Sequence, residues 1–239
     1  MRREDALFER WARKYGEKFI PDGVVNENVF SREKIRIVFV LKEVSDCGSG
    51  FDLRDFLANG APGNGGHTWG PTTRWLGAVD GTVFQSSPDA DIRKQWLQKT
   101  GAMNLKKTSG STIAGQTKII RFAKEDADLL KEQVWLYLEK PTLFPCCGNG
   151  VFELFRDQIL KEEMCKENST EEGIRYIKFA SNGIAFAFRH PNAKEAGKPK
   201  LFAQTVKYLA KKFQLHYNKL CETINGADFH ALRQPGGSR

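Results

Sequence analysis

Between Ile35 and Leu41 the chain reads Ile-Arg-Ile-Val-Phe-Val-Leu, apolar at every position except Arg36. A strand with one wet face alternates apolar and polar residues. A run without that alternation suits a strand covered on both sides, as in a parallel sheet between helices. The run stops abruptly at Lys42-Glu43-Val44-Ser45-Asp46, followed by Gly48-Ser49-Gly50. Two acids and a lysine therefore stand where a central strand gives way to a loop. In open α/β sheets the ligand crevice lies outside the carboxyl ends of the strands. Glu43 and Asp46 are thus candidate site residues, although acids here can also serve only as loop solubilisers or as a cap for a helix after Asp52.

The rest of the chain falls around that strand. Asp5 to Tyr15 places Phe8, Trp11, Ala12 and Tyr15 on one helical face, the pattern of an amphipathic helix laid on a sheet. Pro21-Asp22-Gly23 is a turn signal in a connector from Phe19 to Phe30. Phe51 to Asn59 predicts a short helix, and Gly60 to Gly70, with five glycines and a proline, predicts a loop. Pro71 can then open a helix to about Val79, with a further helix at Asp91 to Gln98. Ala102 to Leu105 and Pro141 to Cys147 are candidate second and third strands, with helical spacing late in the segment from Ala114 to Lys140 and again from Val151 to Lys161. Ile174 to His190 reads as a hairpin around Ser181-Asn182-Gly183, because Asn-Gly is a strong tight-turn signal. Leu201 to Phe213 is a basic amphipathic helix, and a frayed tail is expected from about residue 226. Strands alternating with helices predict a three-layer α/β/α sandwich with a mostly parallel central sheet, in a single domain over 1–239.

Composition narrows the chemistry. The 239 residues carry 37 Lys plus Arg against 29 Asp plus Glu, a formal charge of +8, which favours a polyanionic partner, nucleic acid first. Five cysteines at 47, 146, 147, 165 and 221 include no Cys-x-x-Cys pair, and four histidines are scattered. That pattern argues against a structural zinc or an iron–sulfur cluster. No apolar run approaches the roughly 20 residues that span a bilayer, and the charged start Met1-Arg2-Arg3-Glu4-Asp5 lacks an apolar signal core. A cytoplasmic monomer with reduced thiols, no cofactor and no membrane contact is the expectation.

Four strand ends carry polar or small residues: Lys42-Glu43, Asn104 to Lys107, Cys147-Gly148 and Arg189-His190. In one parallel sheet these ends line one crevice. A glycosidic bond to a base breaks through an oxocarbenium-like state. A carboxylate can stabilise the sugar cation or activate water, while a donor holds the departing base anion. Glu43 fits the first role and His190 the second, and Asn104 offers the paired donor and acceptor that read a base edge. Each also has a plain alternative, His190 as a turn histidine in His-Pro and Asn104 as a satisfied strand-edge amide. Trp69, in a polar loop beside His67, suits stacking on a base or core packing equally. For Trp75, at helical spacing, core packing fits better. Lys106, Lys107, Arg189, Asn192 and Lys194 are candidate DNA contacts, since the basic segments near the crevice can hold phosphates.

This arrangement resembles the uracil-DNA glycosylase superfamily. Its members share an α/β/α sandwich, a Gly-Gln-Asp-Pro-Tyr or Gly-Glu-x-Pro motif after the first strand, and a late His-Pro-Ser-type motif. Leu41-Lys42-Glu43-Val44-Ser45 stands in the first position and His190-Pro191-Asn192-Ala193 in the second. The resemblance, which spans residues 35 to about 213, implies Glu43 at the water-activating position, His190 at the leaving-base position, and the loop after it at the DNA minor groove. The motifs match only in part. Leu41 replaces the first glycine, Val44 the proline, and Ser45 the tyrosine that closes off the base's 5-position in uracil-specific members. Ser45 therefore implies a roomier pocket for a 5-substituted pyrimidine, as in a distant branch that defends bacteria against phages by excising bulky modified cytosines. The resemblance thus implies a DNA glycosylase that flips a pyrimidine out of DNA and hydrolyses its N-glycosidic bond. A nucleoside N-glycosidase acting on free small molecules, and a non-catalytic DNA-binding module of the same fold, are the rival readings. A nuclease is disfavoured, since no cluster of acids suited to Mg²⁺ is evident.

Overall fold

The structure is a computed structural model that describes residues 2–45, 47–63, 66–84, 86–110, 115–161, 166–193 and 199–228, with only the backbone of residue 66 and of residues 214–228. Seven strands form one sheet: β1 (Gly23–Val24), β2 (Arg36–Leu41), β3 (Thr100–Asn104), β4 (Thr142–Cys147), β5 (Asn168–Ser169), β6 (Arg175–Phe179) and β7 (Gly183–Phe188). Their order across the sheet is β1-β3-β2-β4-β7-β6-β5. The four central strands, β3, β2, β4 and β7, run parallel. The outer strands β1, β6 and β5 pair antiparallel. All six residues of β2 are buried, as a strand covered on both faces requires.

Residue alternation along these strands builds two cores. Val38, Val40, Met103, Phe144, Cys146, Ile177 and Ala185 face one side, under α1 (Asp5–Tyr15), α6 (Gln116–Glu125), α7 (Ala127–Leu136) and α8 (Val151–Leu154). Ile37, Phe39, Leu41, Ala102, Leu143, Cys147, Ile184 and Phe186 face the other. There α3 (Leu53–Ala58), α4 (Gly66–Val79), α5 (Ala90–Leu97) and α9 (Pro199–Asp228) cover them, and α2 (Glu27–Phe30) lies in the connector before β2. The result is the expected three-layer α/β/α order with a mixed, mostly parallel sheet. None of the described helices is long and apolar enough to cross a membrane.

Several local expectations are corrected. The helix expected from Pro71 begins earlier, at Gly66, with Pro71 inside it. The helical stretch after Ala114 is two helices, separated at Asp126, and α8 continues as one π-helical turn, Phe155–Ile159. The hairpin forms as expected, with Phe179 paired to Gly183 across a three-residue loop that holds Ala180 at φ +47°. Gly183 is needed because a Cβ there would meet the Phe179 ring at 2.6 Å. β4 is central yet contains Pro145, which pairs with Phe186 on the β7 side. On the β2 side the ladder connects Ile37 to Leu143 and resumes only at Val40 with Cys146, a gap that fits the N–H a proline lacks.

An aromatic cluster lies directly beneath the end of β7. Trp75 of α4 stands edge-on to Phe188 at 5.1 Å and stacks on Phe202 of α9 at 5.2 Å. Phe202 also meets Phe39, Phe186 and Phe188. Rings at these separations and tilts pack with directional preference beyond the area they bury. The chain that follows Phe188 is thereby mounted on a rigid base.

Candidate active site at the strand ends

The carboxyl ends of β2, β4 and β7 do converge. Gly148 N donates to the Phe188 carbonyl at 2.9 Å, and a Cβ on Gly148 would touch the His190 side chain at 3.6 Å. Lys42 is near enough for its charge to act on His190. The His190 pKa lies below its ordinary value, chiefly because protein crowds the ring and secondarily because of the Lys42 ammonium. The residue as a whole is exposed. Asn192 N donates to His190 Nδ1 at 3.2 Å. With Nδ1 accepting, a neutral imidazole must carry its proton on Nε2. A neutral His190 is therefore an N–H donor within the field of a cation, an arrangement that can receive developing negative charge.

Glu43 is not in that crevice. Its carboxylate forms an ion pair with Lys106 Nζ, and the two side chains are 4% and 1% exposed. The Lys106 ammonium also donates to the carbonyls of Thr108 and Ser109, at 3.1 and 2.6 Å. The segment after β2 stays paired to the segment after β3, through Leu105 N to the Leu41 carbonyl, Lys106 N to Lys42 and Gly110 N to Val44. Gly110 closes over the acid so tightly that a Cβ would fall 1.9 Å from the Glu43 carboxyl carbon. The expected water-activating carboxylate is thus a buried fastener between two loops.

Asn104 and Lys107 are likewise turned inward. The Asn104 backbone N–H and side-chain amide both donate to Asp22, at 2.7 and 3.3 Å. Lys107 Nζ donates to Asp22 at 2.7 and 2.8 Å and to Gln133 at 2.7 Å, and neither member of the Lys107–Asp22 pair is exposed at all. Burial pushes the Lys107 pKa down, with Asp22 opposing it. Gln133 passes the network to Tyr137, whose hydroxyl donates to Glu4 at 2.9 Å. The expected roles of Asn104 as a base reader and of Lys106 and Lys107 as phosphate contacts are therefore corrected: all three are committed to internal partners. The telling residue is Asp22. In sequence it reads as a turn former in Pro21-Asp22-Gly23, yet it is the acid that a buried lysine requires.

Trp69 lies on α4, not in a loop, and is buried in the core beneath it, so it offers no stacking face. Trp75 is core, as its spacing indicates. Ser45 is exposed and bridges to Gly110 through its backbone. Asp46 and Lys194 lie outside the described residues. Arg189 borders a cleft of about 580 Å³, whose polar lining includes Gln116, Asn149 and the ion pair of Glu153 with Arg175. That cleft adjoins His190 through Gly148 and Arg189, and of its polar residues only Arg189 stands out in the sequence. Asn192 and Pro191 instead line a second cavity of about 230 Å³, with Arg74. Among the described residues no three His, Cys, Asp or Glu side chains gather as a metal site.

The structure thus brings Gly148 and the charge of Lys42 to His190, with Arg189 on one neighbouring cleft and Asn192 on another, and commits Glu43, Asn104, Lys106, Lys107 and Trp69 to internal partners. Compared with known proteins, the chain matches no family model and no curated sequence.

Proposed function

We propose that this chain is a DNA glycosylase that takes a pyrimidine, flipped from the strand, into the crevice at the ends of β2, β4 and β7 and hydrolyses its N-glycosidic bond. The observation that carries the reading is the hydrogen bond from Asn192 N to His190 Nδ1, which leaves Nε2 to carry the proton of a neutral ring, with the Lys42 charge acting on that ring. As the bond breaks, its electron pair passes to the base, and the resulting anion is stabilised by that donor and that cation. Water adds to the sugar cation, and the proton it loses ends on the base anion, giving a neutral free base and an abasic site. No cofactor takes part in these steps. The excess of basic residues fits a nucleic-acid substrate. The cleft of about 580 Å³ is within the range that takes drug-sized ligands, about 300–1,000 Å³. That room favours a pyrimidine with a large 5-substituent, and with it a role in defence against phages whose DNA carries enlarged bases.

The test is release of free base, detected by mass, from single- and double-stranded DNA carrying uracil, 5-methylcytosine, hydroxymethylcytosine or glucosylated hydroxymethylcytosine. Wild type should free the enlarged base preferentially, and His190→Ala should lower the rate by about 10²–10³-fold, the usual effect of losing one charge-stabilising donor. One observation favours a second reading, a DNA-binding module without chemistry: the Glu43 carboxylate is committed to Lys106 and covered by Gly110. Tight DNA binding with no base freed from any of the four substrates would select it.

A further inference from the structure

Among the described residues, five side chains each leave one buried polar atom without a hydrogen-bond partner: Glu4, Trp11, Arg36, Arg54 and Arg74. The first four are held by other contacts. Glu4 uses its second oxygen for Val24 N and the Tyr137 hydroxyl. Trp11 stacks with Phe19 under Lys107. Arg36 donates to the Tyr137 carbonyl, and Arg54 chelates Asp52. Arg74 differs. Its Nε is buried and unpaired, it makes no salt bridge with an acid among the described residues, and it lines the cavity of about 230 Å³ with Pro71, Trp75, Pro199 and the turn 191–193. No acid among the described residues lines that cavity.

A guanidinium stays charged at any ordinary pH, so it cannot relieve an unpaired burial by losing its proton. The acceptors among the described lining residues are all neutral, backbone carbonyls and the Asn192 amide. What is missing is an acceptor that brings negative charge, and a planar fork of donors suits a phosphate's paired oxygens. The mount is rigid, because the next residue, Trp75, is wedged against Phe188 and Phe202. The far wall is the turn whose Asn192 N–H fixes the His190 tautomer. We infer that this cavity is a phosphodiester subsite in which Arg74 holds a backbone phosphate next to the nucleotide presented to His190. The inference rests on the proposed action on DNA. It adds that an anion seated on Arg74 braces the 191–193 turn from its outer side.

The test has two arms, both on the full chain. In the first, affinity for a labelled duplex is followed between about 50 and 200 mM salt for wild type, Arg74→Gln and Arg74→Lys. Each phosphate contact contributes about 0.9 to the slope of log affinity against log salt, so Arg74→Gln should flatten that slope by about one, and Arg74→Lys should restore part of it. In the second, wild-type protein is titrated with inorganic phosphate while the Arg74 Nε–H resonance is followed by NMR, which needs no variant to fold. A shift of that resonance together with a flatter slope supports the inference. An unmoved resonance with an unchanged slope overturns it while leaving DNA binding intact. A phosphate-induced shift with no change of slope also overturns it, in favour of a free-phosphate site. A shift in a protein that binds no DNA leaves an anion site standing and removes the proposed action on DNA.

Discussion

The imidazole of His190 is held by one backbone donor, and that bond fixes what the ring can offer. While Asn192 N–H occupies Nδ1 at 3.2 Å, only Nε2 can present a proton, so the neutral ring is a donor through that nitrogen. Acid reverses this. A protonated ring carries N–H on both nitrogens, and Nδ1–H would oppose the Asn192 donor, so protonation must open the turn. Partial burial and Lys42 set the pKa below the ordinary histidine value, keeping the neutral form at neutral pH. Because the folded pKa is depressed, this group's contribution is intact above the ordinary value and is lost as pH falls through the folded one. Nitrogen-detected NMR should show Nε2 protonated at neutral pH and a midpoint under 6.5, the ordinary value. Lys42→Gln should move that midpoint up without bringing it fully to the ordinary value, since crowding remains. An Nδ1-protonated ring, or a midpoint indifferent to Lys42, would remove the electrostatic basis of the proposed site. His190 was legible in sequence because His-Pro after an apolar strand places the ring at a strand end. The fates of Asn104, Lys106 and Lys107 were not, because a polar residue after a strand can face the crevice or turn under it. Only a distant partner decides, Asp22 being 85 residues from Lys107.

At the scale of elements, the longer strands announced themselves and the joints between helices and sheet did not. β2 and β4 were readable because unbroken apolar runs have few other uses, whereas β1 and β5 are two residues each and leave no period to read. The joint that matters most ties the start of α1 to β1 and to the segment after α7. Glu4 is fully buried, accepting from Val24 N and from the Tyr137 hydroxyl at 2.9 Å each. Gly23 makes the room, since a Cβ there would sit 2.2 Å from the carboxylate. Burial raises the Glu4 pKa from 4.5 to about 7, outweighing the lowering by those two donors. Nearby charges act both ways, Glu27 raising it and Arg54 lowering it. The folded state thus holds this proton more tightly than the unfolded chain does. Its favourable contribution is complete below about pH 4.5 and is lost as pH climbs to about 7, roughly 3 kcal/mol across the window. Urea unfolding at pH 5, 6, 7 and 8 should show wild type losing stability over that span relative to Glu4→Gln, which keeps an acceptor for both donors but cannot ionise. Parallel pH profiles for the two proteins would show that Glu4 does not titrate there.

For the whole molecule, net charge is a useful guide only after the buried part is set aside. Among the described residues Arg36, Arg54, Arg93, Lys106 and Lys107 are buried, against the acids Glu4, Asp22 and Asp126, so burial withdraws a net of only two basic charges from the surface there. It is the surface charge, and not the lysines nearest the strand ends, that should set affinity for a polyanion. The Glu43–Lys106 pair separates the two contributions. Glu43→Gln alone leaves a buried ammonium without its counterion and should cost about 3–5 kcal/mol, whereas replacing both partners by uncharged residues is often close to neutral. Glu43→Gln combined with Lys106→Met should therefore recover most of the wild-type unfolding midpoint. If Lys106 only fastens the loop, the double variant should also bind DNA with the wild-type salt slope, because no counterion is released at an ammonium that never meets a phosphate. A slope flatter by about one in the folded double variant would mean that the pair opens on DNA. It would return Lys106 to the phosphate backbone and free Glu43 to face the crevice.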